Sequence, residues 1–379
     1  ITDFTQSTLN ATSGAVITAG DSIKIVVPQG TFNAGAADSF VVADKGDVNN
    51  AGEAASAMND TKGSFVFSKD NDVLYLDLDG DSTLNADDYA FILTGLDSFH
   101  GADLDFDITA QNQVSTFTTL DGDDSITGGT AADIITTNGG NDTVVGGSGD
   151  DTISTGTGND SINGGAGADI ITAGAGDDII IGASSGLDIV TGGTGDDSFN
   201  AGTADAPAST NMIVIKDFED AGTTVGDTLT IDSSSTTLVS ETAGAASTLL
   251  TIDFPQGTGN PDITAVDTDA SNTADIIEIL DTELATTNLA LDFDASRGSG
   301  ELMKLLGNAD GAATGITVET AEDAFYLLAY DGGEAFLYFV DSGAIIDNIV
   351  ALANEIVPIA HFDSTITLGA FDGSDFILG

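Results

Sequence analysis

Gly146-Gly147-Ser148-Gly149-Asp150-Asp151-Thr152-Ile153-Ser154 and Gly164-Gly165-Ala166-Gly167-Ala168-Asp169-Ile170-Ile171-Thr172 are two copies of one nine-residue pattern, and the reading of that pattern decides the fold. An aspartate returns every nine residues at Asp124, Asp133, Asp142, Asp151, Asp160, Asp169 and Asp178, then after one inserted residue at Asp188 and Asp197. Two positions after each comes an apolar residue: Ile126, Ile135, Val144, Ile153, Ile162, Ile171, Ile180, Val190 and Phe199. A fixed period is an architecture before it is a local motif. The glycines allow the positive φ angles of tight turns. Segments such as Thr152-Ile153-Ser154 alternate in and out as very short strands do.

Each unit turns a single apolar side chain inward. That cannot offset backbone ordering at roughly 1 to 2 kcal/mol per residue, so the units must stack. Stacking sets like-charged aspartates above one another at about the 4.8 Å spacing of neighbouring strands. They repel unless a cation lies between them. Carboxylate and turn carbonyl oxygens are hard donors, which favours calcium over zinc or copper. A disordered Gly/Asp linker would have no reason to keep isoleucine in phase over so many units.

These units resemble the GGxGxDxUx nonapeptides of the RTX calcium-binding proteins. In that family two nonapeptides make one turn of a parallel β-roll, so the resemblance implies that alternate aspartates share ions. One side carries Asp124, Asp142, Asp160 and Asp178; the other carries Asp133, Asp151, Asp169 and, past the insertion, Asp188 or Asp197. Thr137-Asn138-Gly139-Gly140-Asn141-Asp142 lacks the leading glycines, Ala131 replaces a glycine before Asp133, and the unit ending at Asp188 is one residue too long. Weaker or missing ions are expected there.

The chain carries 62 acidic side chains against 7 basic ones, a formal charge of -55 over 379 residues. A phosphate backbone is repelled by such a surface, which sets nucleic-acid binding aside. Yet 41% of residues are hydrophobic, as in an ordinary globular chain. The acidity therefore suits a calcium-rich exterior, with self-repulsion destabilising the compact state when calcium is absent. There is no cysteine, hence neither disulfide nor thiol metal site. No apolar run approaches the ~20 residues of a membrane span, and no secretory signal peptide follows Ile1. The RTX resemblance implies type I secretion from a Gram-negative-type bacterium through an uncleaved C-terminal signal. The tail Phe371-Asp372-Gly373-Ser374-Asp375-Phe376-Ile377-Leu378-Gly379 is similar to such endings, and also reads as a terminal strand.

Three regions are expected: a β-rich module at 1–118, the repeat array at 119–205, and a second β-rich module at 206–379. The predicted fold class is all-β dominated, a central parallel β-roll between two related sandwich-like modules, the second with a few helices. In the first module Ser22–Val27 reads as a strand, and Ser64–Ser68 with Val73–Leu76 as a hairpin. Asp77-Leu78-Asp79-Gly80-Asp81-Ser82-Thr83-Leu84-Asn85-Ala86-Asp87-Asp88 places oxygens as an EF-hand loop does, which makes Asp77, Asp79, Asp81, Asn85 and Asp88 candidate ligands of a separate calcium. Ser82 stands where the turn glycine belongs and Asp88 where the bidentate glutamate belongs. Tyr89–Leu93 then alternates like a strand.

The module recurs. Ile1-Thr2-Asp3-Phe4 is echoed by Ile215-Lys216-Asp217-Phe218, and the hairpin by Ala324–Tyr330 with Ala335–Phe339 around Asp331-Gly332-Gly333. An I-x-D-F block resembles the exit from an RTX array, which predicts a further array before Ile1. Thr273–Leu284, Gly300–Leu306 and 345–355 have apolar residues at helical spacing.

Catalytic chemistry is thin. Gly182-Ala183-Ser184-Ser185-Gly186 spells a G-x-S-x-G string without strand-to-helix context, and with His100 and His361 as the two histidines an HExxH zinc site is impossible. The expectation is a non-enzymatic, secreted, calcium-dependent structural protein of the cell surface, such as an S-layer, filament or matrix component. Its expected partners are further copies of itself and, second, a cell-surface polysaccharide. The alternative is the calcium-binding and secretion region of a larger RTX enzyme, toxin or adhesin.

Overall fold

The computed structural model describes residues 8–9, 16–18, 23–27, 38–48, 63–69, 73–78, 89–93, 104–109, 115–203, 212–219, 226–232, 249–253, 276–280, 324–331, 334–341, 356–363, 371 and 375–378. The chain divides into two compact units, Ile1–Ile180 and Ile181–Gly379. Among the described residues every regular element is a strand.

In the first unit, consecutive nonapeptides alternate between two parallel sheets. One runs Asp38–Val41, Ser115–Thr118, Ile134–Thr136, Thr152–Thr157, Ile170–Ala175. The other runs Ile23–Val27, Leu104–Thr109, Ser125–Thr127, Thr143–Ser148, Ser161–Ala166. Within the array each strand residue is therefore paired with the one eighteen positions on, as Ile153 is with Ile171 and Val144 with Ile162. This is a parallel β-roll. Strands from before residue 119 continue both sheets, and the inward column Val27, Ile108, Ile126, Val144, Ile162 passes from flank to array without a break; each is at most 3% exposed.

Glycine makes the stacking possible. At Gly165, φ is +102°, and a β-carbon would run into the Gly147 carbonyl of the turn below. Gly147 stands in the same relation to the Gly129 carbonyl at φ +114°. In the degenerate unit Asn138 takes this conformation instead, at φ 70°, one of the few side chains that tolerate it.

A separate four-stranded sheet in this unit contains the predicted hairpin: Ala43–Val48, Ser64–Ser68, Val73–Asp77, Tyr89–Ile92. Phe65, Val66, Phe67, Leu74 and Leu76 are buried, so the hairpin covers apolar residues on both of its faces.

In the second unit, Leu187–Thr194 pairs in parallel with Met212–Ile215, which pairs with Ile356–Phe362. The predicted second hairpin follows, Ala324–Asp331 antiparallel to Glu334–Asp341. Ser198–Thr203 pairs with Thr228–Asp232, and that with the tail strand Phe376–Leu378. Phe199, Phe218, Phe362, Phe371 and Phe376 gather into one aromatic core, with Phe218 edge-on to Phe362 at 5.0 Å between centroids.

One expectation is corrected. Within Thr273–Leu284, where the spacing predicts a helix, the described residues Ile276–Leu280 are a strand between Leu249–Asp253 and Ala324–Asp331, parallel to both. Apolar residues at 276, 277, 279 and 280 satisfy a helical stripe, but three of the four are isoleucine, whose branched β-carbon favours a strand, and sheet partners on both sides decide the matter. The helices expected at Gly300–Leu306 and 345–355 lie outside the described residues. Residues 182–185 of the G-x-S-x-G string end the strand Ile179–Ser185, and Gly186 is the bend before the next strand, Leu187–Thr194.

The Gly165→Ala variant tests the stacking. It should lose about 1–3 kcal/mol in calcium, because the new methyl group has to displace a backbone carbonyl. Gly46→Ala, where φ is +78° but nothing lies within 4 Å of the added carbon, serves as the control. Thermal melts showing equal losses for the two would contradict this account.

Candidate metal centre

The strand pairing turns the sequence period into two columns of buried aspartates. On one edge of the roll the N–H of Asp124 donates to Asp142 Oδ1, that of Asp142 to Asp160 Oδ1, and that of Asp160 to Asp178 Oδ1, each at 2.8 Å. On the other, Asp133 donates to Asp151 Oδ1 at 2.7 Å and Asp151 to Asp169 Oδ1 at 2.9 Å. Asp124, Asp133, Asp142, Asp151, Asp160, Asp169, Asp178, Asp188 and Asp197 are all at most 2% exposed.

One oxygen of each rung is thus used to latch the preceding turn. In four of them the second oxygen is left over: Oδ2 of Asp124, Asp142, Asp151 and Asp160 is buried without a hydrogen-bond partner among the described residues. A buried carboxylate oxygen with nothing to bind costs several kcal/mol unless a charge is brought to it. Burial pushes the Asp124 carboxyl up to about 8, against the pull of the Phe106 N–H, with Asp142 and Asp105 adding repulsion. Asp142 is raised to about 7 by burial, with repulsion from Asp160 and Asp123, and Asp151 to about 7 by burial, with repulsion from Asp169, Asp133 and Asp150. Burial raises Asp133, Asp160 and Asp169 as well.

The donors fit calcium. Orphaned carboxylate oxygens stand beside turns whose carbonyls point along the stack, an all-oxygen set with neither nitrogen nor sulfur. Asp124, Asp142, Asp160 and Asp178 would hold ions on one edge, Asp151 and Asp169 on the other. A bound ion supplies the positive charge these oxygens lack. Asp133 differs, since Oδ1 accepts from Ser115 N–H and Oδ2 from Gly129 N–H, both at 2.8 Å.

The aspartates past the insertion sit in the second unit. Asp188 lies level with Ile213 on the next strand, so no carboxylate follows it there. Asp217, two residues after Ile215, accepts from Gly192 N–H at 2.9 Å and Gly193 N–H at 2.8 Å and closes that turn with its own side chain. Asp197 is followed by a rung that the nine-residue count does not reach: its N–H donates to Asp227 Oδ1 at 2.9 Å, and Asp227 Oδ2 takes the Glu219 N–H at 2.7 Å. Burial raises Asp227 to about 7.

Two further ladders accompany the Asp124 edge. The Thr119, Thr137 and Thr155 hydroxyls donate to the carbonyls of Thr137, Thr155 and Ala173. Outside the buried column, Asn141 N–H donates to Asp123 Oδ1, Asn159 to Asn141 Oδ1 and Asp177 to Asn159 Oδ1, at 2.7 to 3.1 Å. The signal was in the sequence, as Asp or Asn immediately before Asp124, Asp142, Asp160 and Asp178.

Of the EF-hand-like loop, Asp77 is the last residue of the Val73–Asp77 strand and fully buried; Asp79, Asp81, Asn85 and Asp88 lie outside the described residues, as does His100.

The family model of the RTX calcium-binding nonapeptide repeat matches residues 118–153, 154–185 and 182–205. Residues 118–205 are RTX repeats. These RTX repeats bind calcium, and repeats of this kind are characteristic of type I secreted extracellular proteins of Gram-negative bacteria. Neither the curated proteins nor the solved structures gave a match. No helix among the described residues is long and apolar enough to cross a membrane.

Two outcomes follow from the raised carboxyls. Their ordinary value is 3.8, and folding lifts several to about 7 or 8, so the metal-free fold holds protons more tightly than the unfolded chain. Its stability is therefore fully present below about 4 and lost as pH rises through about 7 to 8. Circular dichroism in EGTA should show β-structure at pH 4 that melts away by pH 8 and returns with calcium; order at pH 8 in EGTA and low salt would refute this. Second, Asp151→Asn keeps the Oδ1 acceptor but removes a buried charge. It should stabilise the metal-free roll and shrink the rise in melting temperature produced by calcium, whereas an equal shift with and without calcium would exclude a ligand role.

Proposed function

We propose that this chain is an extracellular, non-enzymatic structural protein that folds on meeting calcium outside the cell and then associates with further copies of itself as a sheet, filament or matrix. The calcium dependence comes from the buried ladders. In a calcium-poor cytoplasm the charged columns keep the chain from compacting, which suits passage through a type I secretion channel. Outside, the free energy of ion binding becomes free energy of folding.

The observation that carries self-association is the distribution of charge. With a formal charge of -55, copies approach one another only where carboxylates are absent. The outer side of the sheet formed by Ser115–Thr118, Ile134–Thr136, Thr152–Thr157 and Ile170–Ala175 is such a place. Its rows read Thr116, Ile134, Thr152, Ile170 and Thr118, Thr136, Ser154, Thr172, with no charge, and Ile134 and Ile170 are 49% and 50% exposed. In the first unit the acidic side chains of the array lie outside its strands, at the turns.

Negative-stain microscopy and light scattering of the purified chain should show ordered assemblies in millimolar calcium and none in EGTA. The double variant Ile134→Asp/Ile170→Asp should keep calcium-induced folding and lose assembly. A wild-type chain that stays monomeric at every calcium concentration would overturn the proposal.

A further inference from the structure

Away from the calcium ladders, in the second unit, Glu334, His361 and Asp363 each bring one ligand atom to within 4.8 Å of the others. We propose that these three side chains bind a single first-row transition-metal ion of the zinc type, at a site chemically distinct from the RTX array.

The sheet places them. Ala335 pairs with Phe362 and Phe336 with His361, so the same antiparallel register brings Glu334 level with Asp363. Ile215 of the neighbouring parallel strand pairs with Phe362, and its carbonyl accepts the Asp363 N–H at 2.8 Å. That brings Lys216 against Asp363, where it contacts Oδ2.

Two carboxylates opposite one another on adjacent strands repel. The Lys216 ammonium lies against Asp363 and offsets that repulsion. One lysine balances one of the two negative charges. The remaining charge faces a nitrogen donor, since His361 Nε2 lies 2.9 Å from Glu334 Oε2. The imidazole is aimed by packing, stacked on Phe336 with centroids 4.3 Å apart and planes 11° from parallel. A donor held in one orientation before the ion arrives binds without first having to be ordered.

The donor set selects the ion. Calcium takes oxygen ligands, and imidazole suits zinc, copper and nickel. One nitrogen and two carboxylates leave a fourth tetrahedral position for water. Lys216 occupies one oxygen of Asp363, and a carboxylate has a second. The lysine thereby acts as an outer support that orients a ligand.

The test is calorimetric titration of zinc into the full chain in millimolar calcium, which occupies the oxygen-only sites, with the visible absorption of bound cobalt as a second readout of coordination. A single equivalent is expected. His361→Asn and Glu334→Gln should each weaken it by at least about tenfold, while leaving the circular dichroism and the calcium response unchanged. Should His361→Asn fail to fold, Glu334→Gln decides, since that side chain is 43% exposed. The proposal is overturned if the wild-type chain takes up no zinc in excess calcium, or if zinc binds Glu334→Gln as tightly as wild type.

Discussion

Negative charge confined where water cannot reach it is the constraint from which the rest of this structure follows. The stacked turns bury aspartate after aspartate, and each rung commits one oxygen to a backbone N–H of its neighbour. The second oxygens of Asp124, Asp142, Asp151 and Asp160 are left facing the narrow space between turns. In such an enclosure either a proton or a metal ion must make up the deficit. At neutral pH protons bind Asp142 and Asp151 only partially, even with their affinity raised by burial. The fold is consequently conditional on its surroundings in a way that an apolar core alone would not make it.

The two edges of the roll solve this problem differently. On the Asp133 edge the residue five before each ladder aspartate is a glycine: Gly128, Gly146 and Gly164. A β-carbon on Gly146 or Gly164 would press on Oδ2 of Asp151 or Asp169. On the Asp124 edge the same place holds Thr119, Thr137 and Thr155, whose hydroxyls bind the turn above. That edge also carries the outer Asp/Asn column. Its hydrogen bonds run against those of the buried column: Asp124 N–H reaches forward to Asp142, whereas Asn141 N–H reaches back to Asp123. Every such turn is held from both sides by adjacent residues.

Much of this could be read from the residues. The period of nine, the phase of the isoleucines and the two hairpins came from local pattern, because one short strand and one tight turn per unit are local events. What escaped was set by distance along the chain. Asp227 follows Asp197 as a rung after a gap of thirty residues, and Asp217 closes a turn formed by Gly192 and Gly193. Neither falls on the nine-residue beat, since both depend on which strand lies next in the sheet. The strand at Ile276–Leu280 escaped for a related reason: its isoleucines fit either period, and only its two neighbours settle which prevails.

The alternation of edges also limits how the repeat region can change length over evolutionary time. Gaining or losing eighteen residues adds or removes one full coil and leaves threonine above threonine and glycine above glycine. A change of nine would exchange the two edges for everything beyond it, setting Thr137 or Thr155 into a column whose neighbours were built around a bare α-carbon. Duplication in pairs of units is thus the tolerated route, and an odd number of units requires repair by compensating substitutions along a whole column.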